Sequence, residues 1–209
     1  MTARRLVAIA LSTPFALLAY QPVPALAASG APTCQGRPAT MVVTARSRPV
    51  VRGTSRADVI LIKDAGHRLI SGAGNDLICG SAGSDIIDAG PGNDAVYGGA
   101  GDDTVSGGAG DDLISGEAGR DSLDADAGAD RLDGGDGADV ASGGAGNDQM
   151  DGDEGDDLLN GDDGDDELNG DDGDDRLNGG AGDDELSGGG GEDHIDNGEG
   201  DGDGDGGDG

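Results

Sequence analysis

The stretch Gly98-Gly99-Ala100-Gly101-Asp102-Asp103 returns nine residues later as Gly107-Gly108-Ala109-Gly110-Asp111-Asp112, and the same frame runs without insertion from Gly53 to Asp196. With Gly53 as position 1, sixteen nonapeptides fit end to end. Position 6 is Asp in fifteen of them, broken only by His67, and position 8 is apolar in all sixteen, from Ile60 to Ile195. Position 4 is Gly in fourteen successive frames, Gly74 to Gly191. A biased but disordered chain has no reason to hold frame over such a run, so a structural unit repeats every nine residues.

Nine residues are too few for a helix and its turn, and this much glycine opposes helix. They suit a tight turn of about six residues followed by a strand of about three. Gly at position 4 supplies a positive φ where the chain reverses. Asp126, Asp153, Asp162 and Asp171 stand at position 2, and Asp tolerates the left-handed region. In each strand, position 8 faces inward while polar residues at positions 7 and 9 face water. Two nonapeptides then make one circuit of an all-β, parallel β-roll, roughly 38 Å long over residues 53–196. Loops eighteen residues apart lie over one another, so the position-6 aspartates form two columns, one through Asp94 and Asp112, the other through Asp85 and Asp103.

The formal charge of -32 and the scarcity of aromatics, with only Phe15, Tyr20 and Tyr97, oppose an ordinary globular core. A polyanion repels nucleic acid, so cations are the expected partners. Residues 1–27 differ from the rest. Arg4 and Arg5 precede an apolar run, Leu6–Leu18, and Ala25-Leu26-Ala27 supplies a small-residue cleavage site. That order reads as a secretory signal peptide, giving a secreted, extracellular mature chain. The alternative, a membrane anchor, is opposed by Pro14 and by a run too short to span a bilayer. Cys34 and Cys79 then read as a disulfide, the alternative being two free thiols. A bridge closing that loop would contribute roughly 4 kcal/mol on the chain-entropy model.

Stacked aspartates repel one another, and one inward residue per nonapeptide makes a thin core. A hard divalent cation answers both problems. Ca²⁺ takes oxygens from carboxylates and backbone carbonyls in tolerant geometry, whereas Mg²⁺ demands near-ideal octahedra and keeps its waters. At about 1 mM calcium, with dissociation constants of roughly 10⁻⁴ to 10⁻³ M, each site contributes around 0.4 to 1.4 kcal/mol. Folding is therefore expected to depend on calcium.

Gly107-Gly108-Ala109-Gly110-Asp111-Asp112-Leu113-Ile114-Ser115 matches G-G-x-G-x-D-x-U-x at every fixed position, and the chain resembles the RTX, or haemolysin-type, calcium-binding nonapeptide-repeat family over residues 53–196. The resemblance implies ions held between loops one circuit apart by backbone carbonyls and position-6 aspartates. Carried over residue by residue, that role falls on Asp76, Asp85, Asp94, Asp103, Asp112, Asp121 and Asp130. It continues through Asp139, Asp148, Asp157, Asp166, Asp175, Asp184 and Asp193. Cys34 and Cys79 also match a subgroup of secreted relatives with a cysteine before the array and one inside it.

Departures from the pattern carry their own expectations. Lys63 and His67 replace Gly and Asp, so no calcium is expected in that frame. Residues 43–51 look like a decayed repeat with Arg46 and Arg48, and 28–52 reads either as a basic cap on the acidic array or as a solvated stretch. Glu117 and Arg120 should weaken the loop holding Asp121. Residues 197–209 read as a disordered acidic tail. Asp201, Asp203, Asp205 and Gly206 open an EF-hand-like loop that lacks its Glu and its helices, and Gly202, Gly204 and Gly207 match G-x-G-x-x-G without a flanking strand. His67 and His194 are too scattered for a metalloprotease, and no G-x-S-x-G occurs. The chain reads as a non-enzymatic secreted calcium-binding protein with no membrane span. The alternative is a calcium-stiffened spacer or adhesin with a cell-surface partner, and a third role, the secretion module of some exported toxins, is opposed by the signal peptide.

Overall fold

The computed structural model describes residues 32–44, 47, 49–64, 66–198 and 203–205. Residues 1–27, expected to be a leader, Arg46, Arg48, and the tail matches that need Asp201, Gly202, Gly206 and Gly207 lie outside the described residues. A short antiparallel hairpin comes first, β1 (Thr33–Cys34) with β2 (Arg37–Pro38). The circuits then follow in pairs: β3 (Met41–Val43) and β4 (Val50–Arg52), β5 (Val59–Ile62) and β6 (Arg68–Ile70), β7 (Leu77–Cys79) and β8 (Ile86–Pro91). Next come β9 (Ala95–Ala100) and β10 (Thr104–Ala109), β11 (Leu113–Ala118) and β12 (Ser122–Ala127), β13 (Arg131–Asp136) and β14 (Val140–Ala145). The last are β15 (Gln149–Glu154) and β16 (Leu158–Asp163), β17 (Glu167–Asn169) and β18 (Arg176–Ala181), β19 (Glu185–Ser187) and β20 (His194–Asp196), and β21 (Asp203–Asp205).

Odd-numbered strands from β3 to β21 form one sheet and even-numbered strands from β4 to β20 the other, all parallel. From β4 onward neighbours pair at a spacing of eighteen residues, as in Ile114 against Leu132, so two nonapeptides do make one circuit, while β3 pairs with β5 at nineteen, Met41 against Ile60. The chain is an all-β parallel β-roll. Between the sheets runs one file of buried position-8 side chains, from Ile60 through Ile114 and Leu132 to Leu186, closed at its end by half-buried Ile195. Ala89 and Ala125, at position 1, join it. The hairpin lies on the outer face of the odd-numbered sheet, where Cys34 packs with Val59 and Leu77 against Cys79, Ala95 and Tyr97. Cys34 and Cys79 form a disulfide.

Four features differ from the sequence expectation. Ten strands, β8 to β16 and β18, are six residues long, not three, and take in positions 1 to 3. Loops of identical shape stacked in register continue the amide–carbonyl ladder, as where the Gly92 N–H donates to the Ala109 carbonyl at 2.8 Å. Position 7 is not uniformly polar: Val50, Ile86, Leu113, Val140 and Leu158 stand exposed there, while Val59 and Leu77 are buried because the hairpin covers them. The ladder starts one circuit before Gly53, since β3 and β4 pair with β5 and β6. The tail expected to be disordered includes β21, whose backbone pairs with β19 and sets Gly204 opposite Leu186. A ladder of backbone groups needs no apolar side chain to form.

Glycine is demanded most sharply at position 4. A Cβ on Gly146 would collide with the carbonyl oxygen of Gly128 in the loop below. Position 4 also takes the expected positive φ, 140° at Gly146, and so does position 2, where Glu117 joins Asp126, Asp153, Asp162 and Asp171 at φ between 64° and 72°. The left-handed conformation costs a non-glycine residue roughly 1 kcal/mol. Glu117→Gly should therefore stabilise the calcium-loaded roll by roughly 0.5–1 kcal/mol, whereas Gly146→Ala should destabilise it by at least about 2 kcal/mol. Urea unfolding in saturating calcium measures both.

Candidate metal centre

Every loop presents its position-6 residue to the loop one circuit away. Asp76, Asp94, Asp112, Asp130, Asp148, Asp166 and Asp184 line one column behind Asp58. Asp85, Asp103, Asp121, Asp139, Asp157, Asp175 and Asp193 line the other behind His67. The amide of each aspartate from Asp76 to Asp175 donates to Oδ1 of the aspartate eighteen residues on, at 2.7 Å from Asp94 to Asp112 and 2.9 Å from Asp175 to Asp193. Each of these carboxylates stands in the loop just before a strand begins, as Asp112 does before β11, and Asp112 is only 4% exposed.

The second oxygen is where protein donors run out. In thirteen of these aspartates Oδ2 is buried without a hydrogen-bond partner, and in Asp85 it is Oδ1, because the Ser81 amide donates to its Oδ2 at 2.8 Å. The fourteen residues are the same fourteen assigned from position 6 of the sequence. Asp58 differs. Its Oδ2 accepts from both the amide and the hydroxyl of Thr54 at 2.8 Å, so no bare oxygen remains. An unpaired buried acceptor costs roughly 1–3 kcal/mol, and more when charged.

Glycine at position 1 leaves this oxygen open to its surroundings. A side-chain carbon on Gly98 would lie 2.7 Å from Oδ2 of Asp103 and 2.8 Å from the carbonyl oxygen of Gly116. Gly134 has the same relation to Asp139 Oδ2 and the Gly152 carbonyl, both at 2.8 Å. Carboxylate and carbonyl oxygens thus face one cleft in each loop. Among the described residues no three Asp, Glu, His or Cys side chains converge on one point. The donor set is one carboxylate oxygen with backbone carbonyls, hard oxygens throughout, and it fits Ca²⁺.

Burial raises eleven of the position-6 carboxyl groups above the ordinary carboxylate range, those of Asp76, Asp94, Asp103, Asp112, Asp121, Asp130, Asp139, Asp148, Asp157, Asp166 and Asp175. Desolvation is the largest cause, opposed by the donated amide and reinforced by like charges along the column. Asp103, Asp130 and Asp157 are pushed up to about 7, and Asp94, Asp112, Asp139 and Asp166 to about 6.

Position 5 forms a second, exposed ladder that the sequence reading missed. Oδ1 of Asp102, Asp111, Asp156, Asp165 and Asp174 each accepts an amide from the next circuit, at 2.9–3.2 Å. The signal was present in the Asn and Asp that recur at position 5. Arg120 keeps its place here, donating its amide to Asp102, so the loop of Asp121 has the shape of its neighbours. His67 occupies its column position, 8% exposed, and Arg68 lies 3.9 Å from Asp88.

The family model for the RTX calcium-binding nonapeptide repeat, built on four copies, matches residues 70–105, 97–132, 106–141, 133–168, 142–177 and 169–203. No curated protein was found to match the chain.

A raised carboxyl pKa means that the folded roll holds protons more tightly than the unfolded chain. That contribution is fully present below the ordinary value of 3.8 and is lost as pH rises through about 6 to 7. Calcium-stripped protein should accordingly be more folded near pH 4.5 than near pH 7.5. Far-ultraviolet circular dichroism across that range checks it, and a roll that tightens on raising pH would refute the assignment.

Proposed function

Since the chain belongs to the RTX calcium-binding nonapeptide-repeat family, we propose that it is a secreted protein whose roll folds when calcium binds, with Asp76, Asp85 and the twelve later position-6 aspartates as the carboxylate ligands. One observation carries the reading: each of these residues keeps a buried oxygen that no protein donor reaches. Bound calcium would supply the positive charge that this oxygen lacks. The carboxylates themselves set the register, because each of them except Asp85 also takes the amide of the preceding circuit. Without the ion, like charges repeat along both columns at every circuit, and the single file of aliphatic side chains is little to hold them. The leader and the disulfide support an extracellular site of action, where calcium is abundant. The composition and the lack of any catalytic motif support a non-enzymatic role.

A second reading, a calcium-stiffened spacer that touches a cell-surface partner, is favoured by Val50, Ile86, Val140 and Leu158. All four are exposed at position 7 of the even-numbered sheet. The hairpin covers the corresponding Val59 and Leu77 on the other sheet.

In chelator at neutral pH the mature protein should be expanded and largely coil. Millimolar calcium should produce β-type circular dichroism and compaction, and magnesium at equal concentration much less. A compact β-rich state in excess chelator would overturn the folding switch.

Ion counting tests the shared columns. Asp112 has Asp94 before it and Asp130 after it, whereas Asp193 pairs only with Asp175 among the described residues. Asp112→Ala should therefore cost two calcium sites and Asp193→Ala one. The two substitutions change the charge equally, so long-range electrostatics does not mimic the difference. Native mass spectrometry at calcium just sufficient to saturate the parent would read it, and equal losses would mean that each loop holds its own ion.

A further inference from the structure

Four Asn-Gly pairs occur in the chain, at Asn160, Asn169, Asn178 and Asn197. In a flexible chain this pair deamidates readily, because glycine leaves the following amide nitrogen free to reach the asparagine side chain. That nitrogen attacks Cγ, the Cγ–Nδ2 bond breaks, and ammonia leaves carrying the amide proton. The succinimide ring then takes up one water and opens to aspartate or isoaspartate. No oxidant or reductant enters.

The fold treats the four pairs differently. Asn160, Asn169 and Asn178 stand at position 9, in β16, at the end of β17 and in β18, paired with strands on both sides. Each following glycine is at position 1, where the amide belongs to the ladder. The Gly170 N–H donates to the Ser187 carbonyl at 2.8 Å, as Gly53 does to Ile70 and Gly80 to Tyr97. Extended backbone holds that nitrogen away from Cγ, and the ladder bond holds its proton. Asn197 follows the end of β20, outside the paired strands, and the Gly198 N–H donates to the exposed Asp196 side chain, at 3.1 Å.

We propose that Asn160, Asn169 and Asn178 are deamidation sites shielded by the folded roll and opened when it comes apart, while Asn197 reacts in either state. The inference rests on the calcium-dependent folding proposed above. It makes calcium a guard of the covalent chain as well as of the fold. Isoaspartate adds a main-chain methylene, which moves every later residue out of the nine-residue frame, so a chain that has aged without calcium loses its ability to close these circuits.

The test incubates the mature protein at neutral pH in calcium, in chelator, and in chelator with urea. Circular dichroism is followed beside site-resolved peptide mass spectrometry. In calcium the three ladder sites should convert on the order of tenfold or more slowly than in urea, with Asn197 converting at a similar rate in both. In chelator, if dichroism shows coil, all four should convert. Ladder sites that convert in folded protein as fast as in urea, or that fail to convert in urea, would overturn the proposal. If dichroism shows that the roll persists in chelator, the calcium-folding reading fails, and the comparison of calcium with urea still decides this one. A variant with Asn160→Ser, Asn169→Ser and Asn178→Ser, the residue found at position 9 in Ser106, Ser115 and Ser142, should regain its β-signal on adding calcium after ageing. Equal recovery by aged parent protein would refute the loss of closure.

Discussion

The structure hangs on a carboxylate that faces two ways. At position 6 one oxygen takes the amide of the circuit before, and that bond, repeated every eighteen residues, keeps the loops in register. The other oxygen is buried with no donor within reach. A file of such groups is self-repelling, and burial raises Asp103 and Asp130 to about 7. On the proposed reading, cations and protons would compete for the same bare oxygen, and the roll would respond to solution conditions through the feature that also sets its geometry.

Glycine serves this arrangement in three separate ways. At position 4 it lets loops approach until a Cβ would strike the carbonyl below. Position 2 asks for a left-handed backbone, which five acidic residues also accept. At position 1 it leaves the bare carboxylate oxygen and a backbone carbonyl uncovered. The aliphatic side chain at position 8 then has only to fill the narrow space between two sheets, and residues from Ala141 to Met150 do so.

The two ends of the roll are finished differently. At the first circuits a disulfide-tied hairpin covers Val59 and Leu77 on the outer face of one sheet. At the other end Ile195 is half-buried, and β21 continues the ladder by backbone alone. The one disulfide among the described residues and the apolar cluster beneath the hairpin thus lie in the segment where the repeat pattern is weakest, around Lys63 and His67.

The period of nine, the aspartate at its sixth place and the aliphatic residue at its eighth were enough to derive a parallel roll, its two columns and the fourteen carboxylates that line them, because each is a local choice repeated in frame, broken at position 6 only by His67. Other features follow from what stacking does to neighbours and lie beyond a single repeat. Strands of six residues arise because loops of one shape continue each other's ladder. Val59 and Leu77 are buried, while Ile86 and Val140 are not, because a distant hairpin folds over one sheet only. Asp58 differs from Asp76 through the hydroxyl and amide of Thr54. The sequence by itself determined which oxygen atoms line the columns. Only the tertiary structure decided which of them are left without a partner, since that depends on where the amides of the adjacent circuit come to lie.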